Sequence, residues 1–225
     1  MGKRMTGKSK VKNQKSKAES ESPELSTINY QLKTKNIAIF ASGAGSNAKK
    51  IIEHFKGHPS IKVALIVCNN PKAGVLTIAA DNNIPVMLLN RKGFYETNTC
   101  LDELKLHQIN LVVLAGFLWM IPGYLINSYP NRIINIHPAL LPKYGGKGMY
   151  GEYVHEAVIN AGEKESGITI HYVDEHYDNG DIIFQTTCAV LPSDSPDTLA
   201  DRIHELEHKH YAKVIEELIN DKKEG

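Results

Sequence analysis

Long apolar runs are missing from this 225-residue chain. No window reaches the roughly eighteen consecutive apolar residues that a membrane-spanning helix needs, so none is expected. Cysteine is scarce: Cys68, Cys100 and Cys188 are scattered and odd in number, which argues against a disulfide framework and a zinc–thiolate cage. Aromatics are absent before Tyr30, and residues 1–30 hold seven Lys/Arg against three acids. The formal charge of the whole chain is only +1, so the remainder is slightly acidic, a poor match to a dedicated nucleic-acid binder. Residues 1–30 therefore read as a disordered basic tail, with no apolar segment to serve as a secretory signal. The tail holds a P-loop pattern, Gly2 to Ser9, and a myristoylation pattern, Gly2 with Thr6. A P-loop needs a strand before it and a helix after it, and neither is present; the myristoylation pattern is short and common. Both are set aside. The rest, with 42% hydrophobic and 23% charged residues over the chain, has an ordinary globular balance. Residues 31–225 are expected to form one reduced, cytoplasmic domain.

Short apolar runs alternate with helical patterns. Ile37 to Phe40, Val63 to Val67, Pro85 to Leu89, Leu111 to Ala115 and Arg132 to Ile136 read as strands. Between them, Ala48 to Phe55, Gly74 to Asn82 and Phe94 to His107 read as helices. Continuous apolar strands separated by helices mean crossovers and a mostly parallel sheet buried on both faces. After Gly151 the pattern changes: a helix over 152–160, then strands over 168–173 and 182–190, with Asn179-Gly180 as a hairpin signal. Ser195-Pro196 opens a long final helix ending near Asn220. The expected fold is α/β, a Rossmann-like open sheet flanked by helices, with a mixed C-terminal hairpin and a long last helix.

The first strand runs into Ser42-Gly43-Ala44-Gly45-Ser46-Asn47. Glycines there let the backbone approach an anion at a helix N-terminus, though a tight turn alone would also use them. A dinucleotide site needs an acid about twenty residues on to hold the ribose. None occurs between Glu53 and Asp81, so the dinucleotide reading fails. A single phosphate held by Gly45, Ser46 and Asn47 survives, with both polar side chains available to add hydrogen bonds.

Asn135-Ile136-His137-Pro138 closes the fifth strand. Residues i and i+2 of a strand share a face, so Asn135 and His137 project together, and an amide beside an imidazole suits a reaction that develops an oxyanion. The acidic stretch 174–181 is either a solvated turn or the source of a carboxylate for His137; the residues themselves leave open which acid. On the last helix, His204-Glu205-Leu206-Glu207-His208 matches a zinc-protease pattern. Helical phase argues otherwise. Leu199, Ile203, Leu206, Val214 and Leu218 form the inward face; Glu207 falls within it, His204 at its margin and His208 further out. One inward carboxylate suits a ligand contact better than a metal, and no metal site is expected.

The segments 42–47, Leu114-Ala-Gly-Phe117, Asn135 to Tyr144, Gly167 to Val173 and Asp178 to Asp181 together resemble the phosphoribosylglycinamide formyltransferase family of folate-dependent enzymes. The resemblance covers roughly residues 36–220. It implies transfer of a formyl group from the co-substrate 10-formyltetrahydrofolate to the amine of glycinamide ribonucleotide in purine biosynthesis. By position it implies a catalytic trio of Asn135, His137 and Asp178, with a protonated His137 beside Asp178. Phosphate would sit at Gly45, Ser46 and Asn47, and the amine and ribose at Gly116 and Glu207. The folate would lie along Leu118, Trp119, Met120 and Ile121, near Asn135 and Asp178. Thr97 and Trp119 stand where family members often carry Arg, and Lys147 is a candidate replacement charge. The expected partners are these small molecules, with no nucleic acid or membrane, in a monomer or homodimer. The alternatives are a formyltetrahydrofolate hydrolase and, from another class, a noncatalytic phosphate-binding module.

Overall fold

The computed structural model describes residues 34–221, and apart from them Gly2. The tail expected over 1–30, with its P-loop and myristoylation patterns, lies outside the described residues apart from that glycine. The described fold belongs to the unit Leu32–Gly225.

In chain order the elements are β1 (Lys35–Ala41), α1 (Ser46–Phe55), β2 (Ile61–Cys68), α2 (Val75–Asp81), β3 (Val86–Leu88), α3 (Arg91–Glu96) and α4 (Thr99–Leu106). They continue as β4 (Ile109–Leu114), α5 (Gly123–Ser128), β5 (Ile133–His137), α6 (Glu152–Asn160), β6 (Glu165–Tyr172), β7 (Ile182–Ala189) and α7 (Pro196–Asp221). The seven strands form one sheet in the order β3-β2-β1-β4-β5-β6-β7. The first five are parallel, and β6 and β7 are antiparallel additions. This is the expected Rossmann-like sheet with its C-terminal hairpin.

The apolar runs are continuous because β1 is covered on both faces. Ile37 and Ile39 pack with α1 and α7 through Ile51, Phe55, Leu199 and Ile203. Ala38 and Phe40 pack the other way, onto Phe94, Leu104 and Leu125 of α3, α4 and α5. Strand order reverses between β1 and β4, and ligands of open α/β sheets bind beyond the strand ends at such a point. The loops after these two strands are tied together there. Ser42 N donates to the Gly116 carbonyl at 3.0 Å, and Leu118 N donates to Ser42 Oγ at 2.9 Å.

Two local expectations are corrected, and one short helix was not anticipated. The single helix over 94–107 is two, α3 and α4, because polar side chains at 97–99 compete for the backbone. Thr97 is extended and its Oγ1 donates to the Gly93 carbonyl at 2.7 Å. The short α5 carries no apolar repeat long enough to announce itself. Asn179-Gly180 is not a tight two-residue hairpin turn: it ends a long connection over 173–181, closed where Tyr172 N donates to the Asp181 carbonyl at 2.9 Å. Gly180 is needed there for close approach, since a Cβ would run into the Tyr172 carbonyl.

Candidate active site

A cavity of about 680 Å³ opens over the carboxyl ends of the parallel strands. Its wall contains every residue expected to act in catalysis or to bind substrate: the turn at 45–47, Gly116, the stretch 118–121, Asn135, His137, Asp178 and Glu207; Thr97 and His208 are not part of it.

At one end, Gly45 takes a left-handed conformation (φ 82°) and α1 begins at Ser46, two residues earlier than the apolar pattern suggests. The first-turn N–H groups of α1 have no helical partner and face an anion well. Asn47 departs from expectation. Its Nδ2 donates to Glu207 Oε2 at 2.9 Å, so its side chain secures a carboxylate and leaves anion contact to its backbone. Glu207 is buried as its helical phase predicts, and burial raises its pKa despite the hydrogen bond from Asn47. Tyr211, one turn on, donates to the Leu114 carbonyl at 2.9 Å and anchors α7 above the sheet.

At the centre, Asn135 and His137 share a face of β5, as strand geometry requires. Asn135 pairs in register with His171 of β6. Its Nδ2 donates to His171 Nε2 at 3.1 Å and to Asp178 Oδ1 at 3.4 Å. His171 Nδ1 donates to the Tyr172 carbonyl at 2.8 Å, which leaves Nε2 as the acceptor and fixes the direction of the Asn135 amide. His137 Nε2 donates to the Tyr144 carbonyl at 2.8 Å, and Nδ1 faces Asp178 Oδ2 at 3.5 Å. Asp178 itself takes a left-handed conformation (φ 52°), and its Oδ2 accepts from Gly146 N at 2.9 Å.

The electrostatics correct one expectation. Burial pushes the His137 imidazole below its ordinary pKa, and the Asp178 charge and Tyr144 carbonyl raise it without offsetting that. His137 is therefore neutral near pH 7, not protonated. Burial works against the Asp178 carboxylate too, but His171, His137 and the Gly146 N–H outweigh it and hold its pKa low. The pair is a carboxylate beside a neutral imidazole, ready to accept one proton.

The family model for formyl transferases matches residues 35–215. A phosphoribosylglycinamide formyltransferase of Bacillus subtilis is 39% identical over 82% of this chain and 95% of its own. The chain belongs to the formyl transferase family. A chloroplastic phosphoribosylglycinamide formyltransferase of Arabidopsis thaliana is 39% identical over 88% of this chain and 72% of its own. Among solved structures, glycinamide ribonucleotide transformylase 1 from Geobacillus kaustophilus superposes with a TM-score of 0.75 at 37% identity, covering 82% of this chain and 98% of that one.

In this formyl transferase the stretch 118–121 divides its labour. Leu118 and Met120 are exposed to the cavity, whereas Ile121 is buried and serves mainly as core. Trp119 packs on Phe94 and Tyr95, and the Arg91 guanidinium lies 5.6 Å from the Tyr95 ring centre and 5.9 Å from that of Trp119. A cation thus stands beside Trp119, supplied from α3. Arg91, Lys92 and Lys147 line an adjoining cleft that shares Met120, Ile121, Lys147 and Tyr177 with the main cavity. Sequence reasoning missed His155 and His171. The signal for His171 was present: Ile168 and Ile170 alternate with Thr169 and His171, so β6 turns polar groups toward one face.

Proposed function

We propose that this protein transfers the formyl group of 10-formyltetrahydrofolate to the primary amine of glycinamide ribonucleotide, the activity for which its relatives are named. The observation that carries the reading is that Asn135, His137 and Asp178 line one cavity together with the N-terminus of α1 and the apolar stretch 118–121. The acceptor's phosphate rests on the α1 N-terminus, and its ribose is held by Glu207. The pteridine lies along 118–121, and the acidic end of the folate runs toward Arg91, Lys92 and Lys147.

The amine nitrogen attacks the formyl carbon and the carbonyl oxygen becomes an oxyanion, which the Asn135 amide stabilises. Negative charge developing beside His137 adds to that of Asp178, and together they favour the imidazolium that burial alone disfavours. His137 accordingly accepts the proton shed by the attacking amine, with Asp178 holding the charged ring. The bond from carbon to N10 of the folate then breaks, and N10 takes that proton. One C–N bond forms, one breaks and one proton moves.

The three free thiols, Cys68, Cys100 and Cys188, suit the reducing cytosol in which we place the enzyme. Among the described residues no helix is long and apolar enough to cross a membrane. The test is a spectrophotometric assay with 10-formyltetrahydrofolate, with and without glycinamide ribonucleotide, on the wild type and His137→Ala. Turnover that requires the ribonucleotide and collapses in the variant supports the proposal. Turnover independent of the ribonucleotide identifies a hydrolase instead.

A further inference from the structure

A second hydrogen-bond system reaches His137 from outside the cavity. The neutral imidazole carries one ring proton, and two groups compete for it. The Tyr144 carbonyl lies 2.8 Å from Nε2, and the Asp178 carboxylate lies 3.5 Å from Nδ1. While Nε2 donates to Tyr144, Nδ1 keeps its lone pair and is free to take the proton shed by the attacking amine. Were the Tyr144 carbonyl to move away, the carboxylate would draw the ring proton onto Nδ1 and block the base. The position of one backbone carbonyl thus decides which nitrogen reacts.

Tyr144 lies in a turn between β5 and α6 and takes a left-handed conformation (φ 56°), which a tyrosine adopts only where its surroundings hold it there. Its side chain is the anchor. The hydroxyl donates to Glu163 Oε1 at 2.9 Å, and Lys143 Nζ donates to the same oxygen at 2.8 Å. Glu163 is itself set by the chain just beyond α6, where its N–H donates to the Val158 carbonyl at 3.3 Å. Lys143 and the Tyr144 hydroxyl hold the Glu163 carboxyl below its ordinary pKa, which keeps it ionised as an acceptor. Lys143, Tyr144 and Glu163 line a separate pocket of about 310 Å³ that shares none of its described lining residues with the main cavity. Glu163 therefore stands away from the substrates. The same turn also serves Asp178: two residues on, Gly146 N donates to Oδ2 at 2.9 Å. One displacement of the turn disturbs both members of the pair.

We propose that Glu163 is a positioning residue for formyl transfer: through the Tyr144 hydroxyl it fixes the Tyr144 carbonyl on His137 Nε2 and so keeps Nδ1 as the proton-accepting nitrogen. The proposal rests on the reading of His137 as the base of the reaction. Lys143 contributes less, because its side chain is 68% exposed and an exposed ion pair is weak. The hydroxyl bond is partly buried and directional, and it carries the coupling.

The test combines nitrogen NMR of the full chain, isotope-labelled at histidine, with steady-state kinetics for both substrates. The shifts of the two ring nitrogens report which one is protonated, and comparison with His137→Ala assigns the signals. The wild type should show His137 protonated at Nε2. In Glu163→Ala a large share of the proton should move to Nδ1. Its kcat should fall about tenfold with KM for either substrate within about twofold, the size of effect expected from one net hydrogen bond. Glu163→Gln keeps an oxygen for the tyrosine hydroxyl and should recover most of the lost kcat together with the Nε2 signature. Tyr144→Phe should match Glu163→Ala, and the double variant should be no worse than either single one, because the two side chains act as a unit. A Glu163→Ala enzyme with unchanged kcat and unchanged tautomer refutes the proposal. A fall in kcat with the tautomer unchanged, or losses that add in the double variant, also refutes it, since Glu163 would then act by another route. If the wild type transfers no formyl group, the reading of the reaction falls. The NMR arm needs no turnover and still supports or refutes the link from Glu163 to the His137 tautomer.

Discussion

Replacing Asp178 by Asn removes one charge and one of two acceptor oxygens, since Oδ1 accepts from Asn135 Nδ2 at 3.4 Å and Oδ2 from Gly146 N at 2.9 Å. Asparagine matches aspartate in size and tolerates the left-handed backbone found there (φ 52°). Its amide is still able to accept from Gly146 N, now 2.9 Å from Oδ2. The fold should survive with a stability loss of about 1–2 kcal/mol, because the Asn135 amide loses its long hydrogen bond to position 178 while packing is kept. What is lost is the field at His137. With 3.5 Å between Nδ1 and Oδ2, a full pair of charges interacts by roughly 4–5 kcal/mol at an effective dielectric constant of about 20. Only part of this appears in the barrier, because the pair exists fully only when His137 carries its proton. A loss of about 10²–10⁴ in kcat follows, in line with removing a positioned acid–base group. KM for either substrate should change only a few-fold, since the side chain keeps its size and its acceptor for Gly146 N. Steady-state kinetics with each substrate varied, alongside a thermal melt, separates the effects. A folded Asp178→Asn enzyme with kcat within threefold of wild type would remove Asp178 from the mechanism.

Three other outcomes are expected. Glu207 has a raised pKa in the fold, so the unfolded chain releases its proton more readily and the native state is penalised above the ordinary carboxyl range. Glu207→Gln should therefore raise Tm at pH 7, the gain shrinking as pH falls toward 4, while KM for the ribonucleotide rises; an unchanged Tm at pH 7 contradicts this. His155 is held at about 4 against an ordinary 6.5, so its folded state resists protonation and stability of about 3 kcal/mol is lost as pH falls from 6.5 to 4. Chemical denaturation of His155→Gln should show a flatter acid limb than wild type, and an identical limb would place the acid sensitivity elsewhere. Gly180→Ala drives a methyl into the Tyr172 carbonyl, so the connection bearing Asp178 must shift. Lower stability and a lower kcat should appear together, and a variant with native kinetics would show that the loop gives way without moving the carboxylate.

Much of this molecule is determined locally. Parallel strands buried on both faces must be apolar throughout, and that is how β1, β2 and β4 read in one dimension. Period two alone puts Asn135 and His137 on one face of β5, and the helical repeat alone turns Glu207 inward between Ile203 and Tyr211. The formyl transferase motifs sit at strand ends for the same reason: sheet order makes those ends converge.

Other features depend on partners distant along the chain. No local pattern selects Asp178 from the acids of 174–181. Its choice comes from a left-handed turn, the Gly146 N–H and the two imidazoles His137 and His171. The register of β6 against β5 sets His171 beside Asn135, a pairing of residues 36 positions apart. Asn47 looked free to hold a phosphate, but Glu207 claims its amide from the far end of the chain. The protonation of His137 was misjudged for the same reason. Sequence shows that a carboxylate is near, whereas burial, which decides against the charge, is a property only of the assembled fold.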